Sequence, residues 1–230
     1  MVNQGIAGSL LEEDAQIDSI YDQPVSTTTV ATILTGYNNH RYYGTSAARL
    51  DTYKQALPAA LAYLAIPDKN KKYGYDFSTT GTWAATSTYA TSTGRFSRTA
   101  GSTASTVLHG NTIYVVGTRG AANDTGTMTI TVDGVDKGTY SCAGTLASSN
   151  DSRVYAPFMM RVGNLSNGPH TVKVTSNTTG YCEINWASGN ANVSADGAPA
   201  VYVGGALRMT DADYITNGVG GSIASNRLYN

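Results

Sequence analysis

"TMTITVDGVDKGTYS", residues 127–141, decides the fold. Met128, Ile130 and Val132 alternate with Thr127, Thr129 and Thr131. A period of two places the three apolar side chains on one face of an extended strand and the threonines on the other. Asp133-Gly134 follows at once. This dipeptide suits a two-residue turn with positive φ at both positions, so the chain is expected to double back as a hairpin.

The same pattern recurs on both sides of this hairpin. Phe158, Met160 and Val162 alternate with Met159 and Arg161. After "NLSNGPH" (164–170), Val172 and Val174 alternate with Thr171, Lys173 and Thr175. After "NTTG" (177–180), Cys182, Ile184 and Trp186 alternate with Tyr181, Glu183 and Asn185. Residues 106–116 give another strand pair around Gly110-Asn111. No convincing helical period occurs from 77 to about 198. Short alternating strands over this length predict an antiparallel β-sandwich of the jelly-roll or immunoglobulin-like kind.

The flanks read differently. Ser9 and Glu12 form a capping box, and Leu10, Ile17, Ile20 and Tyr21 recur at helical spacing. Residues 30–34 form an apolar strand. A second helix, capped by Thr45 or Ser46, carries the stripe Leu50, Tyr53, Leu57, Leu61 and Leu64. Pro58 is expected to kink or divide it, and Pro67 to stop it. "PAVYVGGALRM" (199–209) is a short apolar strand running into Gly204-Gly205. The predicted organisation is α/β plus all-β: an α/β segment over 1–76, an inserted β-sandwich over 77–198, and a return to α/β over 199–230. Insertion at an exposed loop is well tolerated.

Composition bounds the function. The 230 residues carry a net charge of −1, and 13% are charged. That excludes an electrostatic case for nucleic acid or an anionic membrane. No apolar run approaches the ~20 residues that span a bilayer, so no membrane insertion is expected. The start, "MVNQGIAGSLLEED", does not read as a signal peptide. Cys142 and Cys182 cannot define a framework; buried thiols are favoured over a disulfide. Histidine and cysteine are too few and scattered for a metal site. Asp124, Asp133 and Asp136 are explained by hairpin turns as well as by a structural Ca²⁺. No P-loop or dinucleotide fingerprint is present, and no cofactor is expected.

"NQGIAGS" (3–9) resembles the second conserved block of the SGNH hydrolases, and "GYNNHR" (36–41) their third, Gly-x-Asn-Asp. Order and spacing fit as well: block, helix, strand, block, helix. "GYNNHRYYGTSAARLDTYKQALPAALAYLAIP" (36–67) further resembles a subgroup common in bacteriophage tail proteins. There a carbohydrate-binding-like β-sandwich follows this helix, as "ITVDGVDKGTY", "LSNGPHTVKVT" and "EINWAS" suggest for this chain. The resemblance implies partial flavodoxin-like α/β segments around the sandwich, with the Gly8 N–H and the Asn38 amide as oxyanion-hole donors. Fixed neutral donors of this kind stabilise the charge that develops on an ester carbonyl.

The departures are substantial. The family's Gly-Asp-Ser nucleophile block is absent, since only Met1 and Val2 precede Asn3. The Asp-x-x-His block is absent too: none of His40, His109 and His170 has an aspartate three residues earlier. Asn39 replaces the aspartate of block three. Donors without a nucleophile and base cannot run acyl transfer by the triad route. His40 is a weak stand-in base.

For ligand contact, Trp83 and Tyr89 stand out in "GTWAATSTYATSTGRF" (81–96), because aromatic rings in a polar segment suit stacking against a pyranose. Arg95 and the outward-facing Tyr181, Glu183 and Asn185 are further candidates, while Trp186 is expected to pack. The resulting expectation is an extracellular virion component of tail-fibre, spike or decoration type. It would bind host-surface polysaccharide, contact other virion proteins and form a homo-oligomer. The alternatives are a glycan O-deacetylase completed by other residues, and a purely structural virion protein.

Overall fold

The computed structural model describes residues 56–60, 62–63, 66, 71–86, 94–120, 125–144, 156–193 and 199–201. The first predicted helix, the strand at 30–34 and the loops at 3–9 and 36–41 lie outside these residues. Residues 56–60 and 62–63 are helical, within the second predicted helix and on both sides of Pro58. Among the described residues no helix is long and apolar enough to cross a membrane.

Strands dominate the rest. In chain order they are β1 (Lys72–Tyr73), β2 (Ser78–Thr80), β3 (Ala84–Ala85), β4 (Arg95–Ser97), β5 (Thr103–His109), β6 (Ile113–Arg119), β7 (Thr127–Val132), β8 (Val135–Ser141), β9 (Ala156–Val162), β10 (Pro169–Ser176), β11 (Cys182–Ile184), β12 (Trp186–Gly189), β13 (Ala191–Val193) and β14 (Pro199–Val201). One sheet has the order β1-β12-β6-β9, and a second β2-β5-β10-β7-β8. A three-stranded sheet, β11-β4-β3, adjoins the first sheet through β11. The ladders between strands are antiparallel.

The alternation read from the sequence builds the core between the two large sheets. Met128, Ile130, Val132, Val172 and Val174 from one sheet meet Ile113, Val115, Phe158 and Met160 from the other in a single apolar cluster. Burial of such side chains contributes roughly 1.5–3 kcal/mol each. On the outer face of the five-stranded sheet, Thr80, Thr103, Thr175, Thr129 and Thr139 stand in one row. Oγ1 atoms approach to 2.7 Å between Thr80 and Thr103 and between Thr129 and Thr139. Cross-strand hydroxyl pairs of this kind support the register. Asp133 (φ 52°) and Gly134 (φ 80°) make the expected β7–β8 turn.

One sequence expectation changes. β5 and β6 form on either side of Gly110-Asn111 but do not pair with each other: β5 lies between β2 and β10, β6 between β12 and β9. The link passes from one sheet to the other, and local alternation cannot distinguish that from a hairpin. It is held by Asn190, whose Oδ1 accepts from the Asn111 and Thr112 N–H groups at 2.9 and 3.2 Å. In addition, β14 pairs antiparallel with β13, immediately after the sandwich; residues 202–230 lie outside the described set.

The β7–β8 turn is latched to β10. His170 is 4% exposed. Its Nδ1 lies 2.6 Å from Asp133 Oδ2 and its Nε2 2.8 Å from the Ser166 carbonyl. Both partners are acceptors, and only the imidazolium donates from both nitrogens. Burial pushes the His170 pKa down, but the hydrogen bonds to Asp133 and Ser166 and the Asp133 charge outweigh it, and the net direction is up. The His170 hydrogen bond, then the Thr171 N–H, hold the Asp133 pKa down.

The raised histidine stabilises the fold below its ordinary value and loses that contribution as pH rises through its folded value. The lowered aspartate does so above its ordinary value and loses it as pH falls. Melting temperature should therefore be highest between about pH 4 and 6.5, the ordinary values of the two groups. Asp133→Asn should flatten the decline on the alkaline side in a thermal-melt series across pH.

Candidate functional site

Gly8, Asn38, His40 and Tyr89 lie outside the described residues, so the site is built from β3, β4 and β11. Core-facing positions along the last strands run Cys182, Ile184 and then Ala187. The step of three inserts one extra residue at Asn185–Trp186, which turns Trp186 to the opposite face. There Tyr63 of the helical segment packs edge-on against it, with ring centroids 5.8 Å apart. Lys71 Nζ sits 3.7 Å from the centre of the Tyr63 ring, and the Tyr63 and Tyr73 hydroxyls are 3.3 Å apart. Trp186 packs as expected, but not into the inter-sheet core.

The outward-facing reading of Tyr181, Glu183 and Asn185 is corrected. They are 6%, 0% and 3% exposed. Alternation marks the face opposite the core, and it implies water there only when nothing covers that face. Here Phe96 of β4 stacks on Tyr181 at 5.5 Å, and the Arg98 guanidinium lies 5.1 Å over the same ring. The Tyr181 hydroxyl donates a short hydrogen bond to Glu183 Oε2. Thr118 Oγ1 donates to Asn185 Oδ1 at 3.1 Å, whereas among the described residues no group accepts from Asn185 Nδ2. The backbone of β11 lies tight on β6: a Cβ on Gly117 would stand 2.4 Å from the Glu183 carbonyl oxygen. On the same covered face, burial raises the Tyr114 phenol, partly offset by Arg161.

Trp83 and Arg95 are placed differently. β3 is the edge of its sheet, and Ala84 and Ala85 are exposed. Ala85 pairs with Arg95, so the two share a face, and alternation carries Trp83 to that face too. Trp83 is half-buried against the core cluster. Its Nε1 is buried, and among the described residues no group accepts from it. Arg95 is half-buried, and among the described residues no carboxylate pairs with it. Buried donors in native proteins normally have a protein or water partner, so an orphan donor calls for one. The Ala85 methyl, an indole and a guanidinium on one face beside a sheet edge can meet a flat ligand that carries hydroxyls or a carboxylate.

Asp133 and Asp136 serve the hairpin: Asp133 takes the His170 ring and the Thr171 N–H, and Asp136 Oδ1 accepts from Gly138 N–H at 2.7 Å. Asp124 lies outside the described residues. Among the described residues no three His, Cys, Asp or Glu side chains gather as a metal site would need.

No protein-family model and no curated protein matches the sequence. Among solved structures, the chain is similar over 51% of its length to an exo-β-1,3-galactanase from Phanerochaete chrysosporium, with 14% identity and a TM-score of 0.39. It spans 28% of that galactanase. A family two carbohydrate esterase from Cellvibrio japonicus is similar over 51% of this chain and 32% of its own, with 10% identity and a TM-score of 0.38. The CBM36-1 domain of a multidomain xylanase, from the hindgut metagenome of Trinervitermes trinervoides, is covered over 94% of its length by 51% of this chain, with 14% identity and a TM-score of 0.37.

Tyr181→Phe removes the hydroxyl that donates to the buried Glu183 carboxylate. Tyr181→Phe should lower the unfolding free energy by about 1–3 kcal/mol in urea denaturation.

Proposed function

We propose that this protein binds polysaccharide through the β3–β4 edge of its sandwich, without hydrolysing it. The observation that carries the reading is the pair of donors on one face of that edge: the Trp83 indole N–H, buried with no acceptor among the described residues, and the Arg95 guanidinium, with no carboxylate partner among them. A sugar ring laid against the Ala85 methyl, on the face that Arg95 and Trp83 share, meets apolar area, and its edge oxygens supply the missing acceptors. The finer assignment, a virion component that recognises host-surface polysaccharide, rests on the resemblance of residues 36–67 to the phage tail-protein subgroup. Many copies on one particle would strengthen weak single contacts.

The second reading is an SGNH-type esterase whose serine and histidine come from elsewhere. Its support is the pairing of "NQGIAGS" with "GYNN". The lack of Gly-Asp-Ser and Asp-x-x-His blocks weighs against it for this chain alone.

Titration calorimetry against neutral and carboxylated polysaccharides tests the site. Wild-type protein should bind at least one class; Arg95→Gln should weaken binding about tenfold, equivalent to about 1.4 kcal/mol. Trp83→Phe keeps a ring and removes the N–H, and it should weaken binding while the protein still melts cooperatively. Unchanged affinity in both variants rules out this edge. Acetate release from acetylated glycan, abolished by Asn38→Ala, would instead establish the esterase.

A further inference from the structure

We propose that Cys142 and Cys182 are the two halves of an oxidation-closed clamp across the sandwich, independent of any carbohydrate reading. Their sulfurs stand 3.3 Å apart, and both residues are 0% exposed. Cys182 lies on β11, and its Sγ also points at the Thr127 carbonyl, 3.2 Å away. Cys142 follows β8, the edge strand of the five-stranded sheet, and its N–H donates to the Gly126 carbonyl at 2.8 Å. The two thiols thus come from different sheets and meet inside the core cluster. Closing from 3.3 Å to the ~2.05 Å of a disulfide is a side-chain movement.

The oxidant is a small-molecule disulfide such as oxidised glutathione. The thiolate of one cysteine attacks it, forming a mixed disulfide and releasing one glutathione thiolate. The second cysteine thiolate attacks the cysteine sulfur of that mixed disulfide and releases the second. Two protein thiols are oxidised, one small disulfide is reduced to two thiols, and both thiol protons leave on glutathione. With both sulfurs buried, the first attack needs a local opening. Cys142 follows the edge strand β8 and Cys182 lies on β11, an end strand of its own sheet, so either can be exposed by such an opening.

Incubation of the folded chain with oxidised glutathione, followed by intact mass and non-reducing peptide mapping, tests this. The expected product is a monomer lighter by two hydrogens, with the Cys142 peptide joined to the Cys182 peptide. Its melting temperature should exceed that of the reduced chain by about 5–10 °C, because the link spans 40 positions. Cys182→Ser and Cys142→Ser should each retain one glutathione on the remaining cysteine, because the thiolate that displaces it is gone. Persistent mixed disulfides on both cysteines, only intermolecular dimers, an unchanged mass or an unchanged melting temperature would each overturn the clamp.

Discussion

The extra residue at Asn185–Trp186 is the constraint on which the arrangement of this chain depends. Before it, β11 runs beside β4 and β6; after it, β12 runs between β1 and β6. The Asn185 N–H donates to the Val116 carbonyl, and its carbonyl accepts from the Gly74 N–H, so the backbone crosses the irregularity without losing its ladder bonds. The step delivers the Trp186 ring to the face away from the core, where Tyr63 covers it. A sheet that would otherwise present one wet face is buried on both, and the helical segment is fixed to the sandwich by an aromatic contact rather than by the chain connection alone.

Burial on both faces explains the distribution of polar groups. Tyr181 with Glu183, and Thr118 with Asn185, partner each other because water does not reach them. The outer face of the five-stranded sheet is the opposite case: its threonines and Lys173 stand half-buried or exposed, and their hydroxyls pair across strands at the surface. The proposed recognition site lies where neither regime is complete, at the short edge strand β3 beside Trp83 and Arg95. A sheet edge with small side chains leaves room for a ligand that a covered face excludes.

The sandwich also carries two internal ties of different chemistry. The His170–Asp133 pair fixes the β7–β8 turn to β10 through charge, and the Cys142–Cys182 pair brings the end of β8 against β11 inside the core. Both act on the same hairpin, whose strand β8 is an edge of the five-stranded sheet. Extra ties there are consistent with the low opening cost of sheet edges.

By itself the sequence determined the strands and the hairpin. The period of two over 127–132, 158–162 and 171–175 and the Asp133-Gly134 turn each act between near neighbours, and a local rule suffices to read them. The helical spacing through Leu57 is local in the same sense. Tertiary structure decided the rest. Whether β5 and β6 pair, whether Tyr181 and Glu183 meet water, and which face Trp186 takes all depend on what another part of the chain lays against that face. The pairing of Ala85 with Arg95, which brings Trp83 and Arg95 to one face, likewise depends on β3 folding onto β4. Alternation reports which residues share a face; only packing of distant segments reports what that face touches.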